Sequence, residues 1–323
     1  MSQIANTFDT YSAKGLRESL HDRIYDISPE ETPFMSAAMR GQAKQRNEDW
    51  QTDALASPDT ANAHIEGDDI SAFQAITPTV RVGNHTQISR KAIILSDTEE
   101  VVDKAGRRSE LAYQLSRRGV ELKIDIEAMA MENIAGDAGS SSSARISAGL
   151  GAWLKTNVDL ATDGANPTYT QGVPDAARTD GSARAFTETI LQDVVESMWV
   201  AGGKVRNLFV GPFNKRAVSN FSGVVTRNFD MSNVDPAPTA VIAAVDVYVT
   251  DYGTLKVIPT RWSRDRDAYF LDFDLISFLW LRPMATVKLA KTGDAEKRML
   301  RGEWTLKIHN EAGLGLAADL TTS

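Results

Sequence analysis

Asp272 and Asp274, in the segment LDFDL, are the paired carboxylates best placed to do chemistry. Residues two apart on a strand share one face, where two carboxylates act as acid and base or hold a hard cation. Paired acids at a strand end are also ordinary solvated turn residues. The other candidates are weaker. His21, His64, His85 and His309 are scattered, without a ligand spacing such as HExxH. Gly202, Gly203 and Lys204 are followed by Val205, where a phosphate loop needs a hydroxyl to reach magnesium. Ser140 to Ser143 lie in a Gly/Ser-rich run that cannot hold a nucleophile in place, and no GxSxG elbow occurs. With no cysteine in the chain, disulfides, thiolate metal sites and cysteine nucleophiles are excluded. No catalytic residue, cofactor or metal is assigned.

Charge excludes a second group of functions. The chain carries 35 Lys and Arg against 43 Asp and Glu, a net charge of -8, the wrong sign for gripping phosphate over a whole surface. Arg107, Arg108, Arg117 and Arg118 are interleaved with Glu110, Glu121 and Asp125, the pattern of a solvated or salt-bridged helix face. The most apolar window, Ala268 to Ala290, is interrupted by Asp272, Asp274, Arg282 and Lys288, which argues against a membrane span. The first residues lack the basic start and apolar run of a signal peptide, so secretion is not expected.

The elements that would carry these residues come in an unusual order. Leu16, Leu20 and Ile24 recur at helical spacing, and then Pro29 and Pro33 force extended backbone, which reads as an extended arm carrying one short helix or, equally, as a packed N-terminal helix. Strand is predicted from Glu48 to Leu55 and from Thr77 to Leu95, where Val80, Val82, Thr86 and Ile88 alternate with Arg81, Gly83, His85 and Gln87. The two runs form a hairpin with Glu66, Gly67, Asp68 and Asp69 at its tip. A two-stranded ribbon is marginal in water, so one this long must lie against its own domain or a neighbouring subunit.

SDTE from Ser96 to Glu99 reads as a capping box, and helical sequence runs on to about Ile134. Gly106 weakens it, so the unbroken part should begin near Ser109. Leu115, Gly119, Leu122, Ile126 and Met129 mark a buried stripe, with Val120, Ile124 and Met131 as a second. Irregular sequence reaches Ala185, after which the pattern becomes mixed. A helix from Phe186 to Val200 has Ile190, Leu191, Val194, Val195, Met198 and Trp199 inward. A strand NLFV, a helix opened by Pro212, a hairpin turning at Asp251 to Gly253, and strands around ISFLWLRP and RGEWTLKIHNE complete an α+β chain.

Arm, long hairpin, long helix and mixed domain in that order resemble the major capsid proteins of tailed bacteriophages, with the Hong Kong 97-type fold. The wording is more specific. ISPEETPF, EDWQTDAL, IEG, GNHTQISRKAIILS and VDKAGRRSELAYQLSRRGVELKIDIE resemble the SU-ten-type major head proteins. So do RAFTETILQDVVESMWVAGG, VGPFNK, VDVYVTDYGTLKVIP, LRP and LAKTGDAEKRMLRGEWTL, and the similarity spans nearly the whole chain.

That resemblance implies an N-terminal arm (residues 1–47), an extended loop (48–95), a peripheral domain holding the spine helix (96–185), an axial domain (186–260), and strands returning to the periphery (261–323). It implies a structural protein rather than an enzyme, one that assembles in the host bacterial cytoplasm and resides in the virion. Hexamers and pentamers would form an icosahedral shell around non-specifically held double-stranded DNA, with portal and scaffolding or decoration proteins as partners. Arms and loops lie over adjacent subunits in such shells, which makes Phe34 and Trp50 anchors on a neighbour or on the spine helix. Asp53, Glu66, Arg81 and His85 are the further inter-subunit candidates. Two readings compete: an encapsulin-like compartment built on the same fold, and a metal-dependent hydrolase using Asp272 and Asp274.

Overall fold

The computed structural model describes residues 28–67, 69–70, 73–102, 108–221 and 246–322. The helix expected around Leu16 to Ile24, the break expected at Gly106, His21, Asp68 and Arg107 lie outside these residues. In chain order the elements are α1 (Pro33–Ala37), β1 (Met39–Gln42), β2 (Asn47–Thr52), β3 (Val80–His85), β4 (Gln87–Ser96), α2 (Asp97–Val101), α3 (Glu110–Met131) and α4 (Leu150–Trp153). There follow β5 (Val158–Asp159), β6 (Thr168–Thr170), β7 (Val173–Ala176), α5 (Glu188–Val200), β8 (Asn207–Val210), α6 (Pro212–Ser219), β9 (Val247–Thr250), β10 (Gly253–Pro259), β11 (Ala268–Leu271), β12 (Ile276–Lys288), β13 (Ala295–Ile308) and β14 (Gly315–Ala317).

Two cores result. In the first, α3 lies along a four-stranded sheet of order β1-β12-β13-β4, and Leu122, Ile126, Ala130 and Met131 of the helix pack with Phe278, Trp304 and Leu306 of the sheet. In the second, α5 and α6 pack with a six-stranded sheet of order β5-β14-β11-β8-β10-β9 through Leu191, Val194, Val195, Met198 and Val218. The buried Arg178 joins the segment after β7 to β11's approach, its Nη2 donating to Asp267 Oδ1 and Oδ2 at 2.7 and 2.8 Å.

The long helix begins where its sequence places the cap. Ser109 Oγ accepts from the Ala112 amide at 3.2 Å, satisfying one of the first-turn donors. The acid assisting it is Glu100 from α2, whose carboxylate accepts from Ser109 Oγ and from the amides of Glu110 and Leu111. The SDTE box is therefore corrected: Ser96 caps only the five-residue α2, and its hydroxyl makes no cap bond. The helix ends at Met131, three residues before the expected Ile134.

Three further expectations change. The strand expected from Thr77 to Leu95 divides at Thr86: β3 pairs with β2, whereas β4 pairs antiparallel with β13 and belongs to the body. The arm is not free of its own core. Phe34 is 0% exposed and Met35 7%, while β1 adds to the sheet in parallel with β12. Trp199, expected inward on α5, is 56% exposed and stacks against Tyr252 with ring centroids 5.2 Å apart. Its position one residue past Met198 turns it off the buried stripe.

Candidate functional site

The extended loop grows from β2 and β3, which run side by side from Asn47↔His85 to Thr52↔Val80. Trp50 anchors this base to the body, its ring 5.5 Å from that of the buried Trp153 and within 5.3 Å of Lys307 Nζ. Arg81 pairs with Asp49 across the two strands, and Asn47 Nδ2 donates to Asp49 Oδ1 at 2.7 Å. These polar groups, with His85, Asp137 and Asp175, line an open cavity of about 810 Å³ beside the hairpin. Burial holds the His85 pKa below its ordinary value, against the pull of Asp137 and Asp49, so the imidazole is neutral at neutral pH.

The backbone fixes the angle at which the loop leaves. Gly172, at the β6–β7 turn, has φ +82°, and its carbonyl accepts from the Gly83 amide at 3.1 Å. A Cβ there would run into the Arg81 carbonyl oxygen and Val82 Cα, so only glycine lets the turn support the strand this closely. Asn84 locks the next residue. It is fully buried, its Nδ2 within hydrogen-bond reach of Ser147 Oγ, the Ala148 carbonyl and the Leu306 carbonyl (2.7 Å), while its Oδ1 accepts from the Ala148 and His85 amides. Sequence reasoning passed over Asn84. The signal was available: it holds the same parity as Val82 and Thr86, so it is a polar residue at an inward position.

Beyond the base the chain changes character. Every described residue from Asp53 to Thr79 is exposed, including Leu55 at 100%, Ile65 at 81%, Phe73 at 88% and Ile76 at 95%. Asp53 and Glu66 lie in this stretch, far along the chain from Arg81 and His85 at the base. The structure thus groups Trp50, Arg81 and His85 at the root and leaves Asp53 and Glu66 on the free part. Phe34 joins neither. It is enclosed by Phe209, Phe273 and Phe278 of its own chain, so it has no surface to offer a neighbour.

Phe34 does meet the spine helix. Its amide and that of Met35 donate to Glu127 Oε1 and Oε2 at 3.1 and 2.9 Å. Glu127 is fully buried, and burial pushes its carboxyl up to about 7 in spite of the two amides. Sequence reasoning did not single it out; it falls one position after Ile126 of the buried stripe.

Asp272 and Asp274 are not partners on a strand face. Asp272 caps a single helical turn, accepting from the Asp274 amide at 3.2 Å, and both carboxylates meet Arg206, at 3.2 and 2.5 Å. This is a local ion pair around a turn. Among the described residues there is no group of three or more His, Asp or Glu arranged to hold a metal, and no helix long and apolar enough to cross a membrane.

A family model described as the SU10 major capsid protein matches residues 3–321. The chain belongs to that family. The major capsid protein of Escherichia phage Phieco32 is 29% identical over 342 aligned positions, covering 96% of this chain and 96% of the relative. Among solved structures, the cyanophage A-1(L) capsid asymmetric unit superposes with TM-score 0.68 at 13% identity, covering 98% and 99% of the two chains. The capsid of the native GTA particle gives TM-score 0.62 at 11% identity over 97% and 98%. The SrpI encapsulin complex of Synechococcus elongatus PCC 7942 gives 0.55 at 9% over 98% and 97%, which marks the fold as one shared with an encapsulin. This major capsid protein therefore has the Hong Kong 97-like α+β fold and a structural role in the phage head.

Proposed function

We propose that this capsid protein closes an icosahedral head from hexamers and pentamers, with the extended loop of each subunit lying over its neighbour. The observation that carries the reading is the stretch from Asp53 to Thr79, where Leu55, Ile65, Phe73 and Ile76 are exposed, with no packing partner among the described residues. Each such side chain gains about 1.5–3 kcal/mol on burial, and the described residues of a single subunit leave them exposed. Repeated head-to-tail contacts between identical subunits cover them and close when the rotation closes. In this scheme residues 96–185 form the peripheral domain, 186–260 the axial domain and 261–323 the return strands. Trp50, Asp53, Glu66, Arg81 and His85 are contact residues.

The net charge of -8 suits a wall that confines DNA without adsorbing it, so the genome is a non-specific content rather than a ligand. Portal, scaffolding and decoration proteins complete the partner set. Purified protein viewed by negative-stain electron microscopy should show closed shells, or capsomers competent to form them. A compact monomer at high protein concentration, with scaffold supplied, would overturn the assembly reading. DNA in particles isolated from infected cells separates a head from a cargo compartment.

A further inference from the structure

The short helix α1 has no cap of its own. Thr32, at its N-cap position, makes no side-chain cap bond, and Pro33 at the first helical position has no N–H to satisfy. The amides of Phe34 and Met35 remain, and they donate to the two carboxylate oxygens of Glu127, 93 and 92 positions further along the chain. The cap is thus supplied by the spine helix, through an acid that is 0% exposed.

No cation shares that site among the described residues. Neither α1 nor α4 carries a charged side chain. Lys91 of β4 is engaged by Asp125 at 2.6 Å, Arg298 of β13 by Glu296 at 2.6 Å, and Arg282 of β12 by Glu303 at 2.7 Å. Lys297, Arg301 and Lys307 alternate onto the face of β13 away from Leu300, which packs under the helix at Gly119. Glu100 of α2 sits at the far end of α3 with Ser109, while Arg40 of β1, Arg90 of β4 and Lys123, one turn before Glu127, are exposed. Burial and two amides therefore set the charge of Glu127, and burial lifts its carboxyl to about 7.

The element held in this way is a wedge. The Phe34 ring lies 6.3 Å from Phe209 of the six-stranded sheet and 5.7 Å from Phe278 of the four-stranded sheet, with Phe273, in the turn joining β11 to β12, at 6.0 Å. Its surroundings are lightly held. Of residues 28–43 only Phe34, Met35, Ala38 and Ala43 are buried, β1 adds four exposed residues to the sheet edge, and Trp262 Nε1 donates to the Glu31 carbonyl at 2.7 Å. A segment with so few buried side chains belongs to the part of a fold that opens locally, ahead of the body.

We propose that Glu127 is a pH-operated latch: with its proton it holds α1 between the two sheets, and on losing it lets residues 28–43 withdraw as a unit while both cores stay folded. Once the segment has withdrawn, water reaches the carboxylate and its proton affinity returns to the ordinary one. Docking is therefore complete below 4.5 and is lost as pH rises through about 7. Withdrawal bares Phe34 and Met35 and leaves the place where the two sheets meet unfilled, so alkaline pH loosens the subunit at the joint between its cores.

Hydrogen exchange with mass spectrometry on the full, unassembled chain tests the latch independently of shell formation. After correction for intrinsic exchange, opening of residues 28–43 should rise on the order of fiftyfold between about pH 5 and about pH 8, with no comparable rise in α5 and β8. Glu127→Gln, which cannot ionise, should flatten that rise. Trp262→Phe removes a hold that does not titrate, so it should increase opening by the same factor at both pH values. Opening of residues 28–43 that does not change with pH, an equal rise in α5 and β8, or a rise that persists in Glu127→Gln would each overturn the latch. If Glu127→Gln does not fold, the first two results, read on the unaltered protein, still decide.

Discussion

The spine helix and the extended loop are built from similar numbers of apolar residues, yet one is buried in its own subunit and the other is not. Along α3, Leu122, Ile126 and Ala130 are 0% exposed because their spacing of four keeps them on one face, against the sheet. Along the loop, Leu55 and Ile65 stand alone and only Ile70, Phe73 and Ile76 recur at a short spacing, and the described residues there form neither helix nor strand. Hydrophobicity alone does not decide burial. A period sustained over several turns lets the helix satisfy itself within one chain, whereas the loop's apolar side chains stay exposed in it.

Changes to the body should act on folding, and those to the loop on assembly. The largest folding effect is expected for Leu122→Asp, which sets a charge in the dry stripe and should cost more than about 4 kcal/mol, enough to abolish soluble expression. Soluble, assembled Leu122→Asp protein would show that the stripe does not hold the body together. Asp267→Asn comes next. It leaves the buried Arg178 with only the longer 3.5 Å contact to Asp180, where Arg178 Nε and Nη1 already make no hydrogen bond, and should cost about 3 kcal/mol in urea unfolding. A loss below about 1 kcal/mol would mean that the ion pair is dispensable.

Glu127 gives a pH-dependent effect of intermediate size. Its carboxyl, raised from an ordinary 4.5 to about 7 by burial, binds a proton more readily in the folded chain than in the unfolded one. The stability linked to that proton is fully present below 4.5 and is lost as pH rises through about 7. Thermal stability should therefore be greater near about pH 5 than near about pH 8, by on the order of 3 kcal/mol before other titrations are counted. Glu127→Gln, permanently neutral, should flatten that difference. Parallel pH profiles for the two proteins would remove Glu127 as its source.

Regular elements were legible in the sequence because their signals are local. Ser109 at the start of α3, Pro212 at the start of α6 and the Asp251 to Gly253 turn lie where sequence reasoning set them. Pairings over long separations were not. Nothing local tells residue 87 to leave β3's hairpin and join β13, some two hundred positions later; that choice is made by Trp304 and Leu300, packed under the helix. Phe34 misled because its proline-rich neighbours suggest an extended arm, while the burial of a lone aromatic depends on the Phe209, Phe273 and Phe278 rings that meet it. Asp272 and Asp274 read as an acid pair or as turn residues, and the turn reading holds; their spacing does not show the single arginine that meets both.

The smallest folding effect and the largest assembly effect should fall on one variant, in which residues 53–76 are replaced by a short Gly-Ser linker. Shortening an exposed loop changes stability by only about 0.6 kcal/mol per halving of its length. Calorimetry should therefore find a body that melts close to the unaltered protein, while negative-stain microscopy of the same sample finds no closed shells. Normal shells from this variant would contradict the account, because the apolar loop would then have no part in joining subunits.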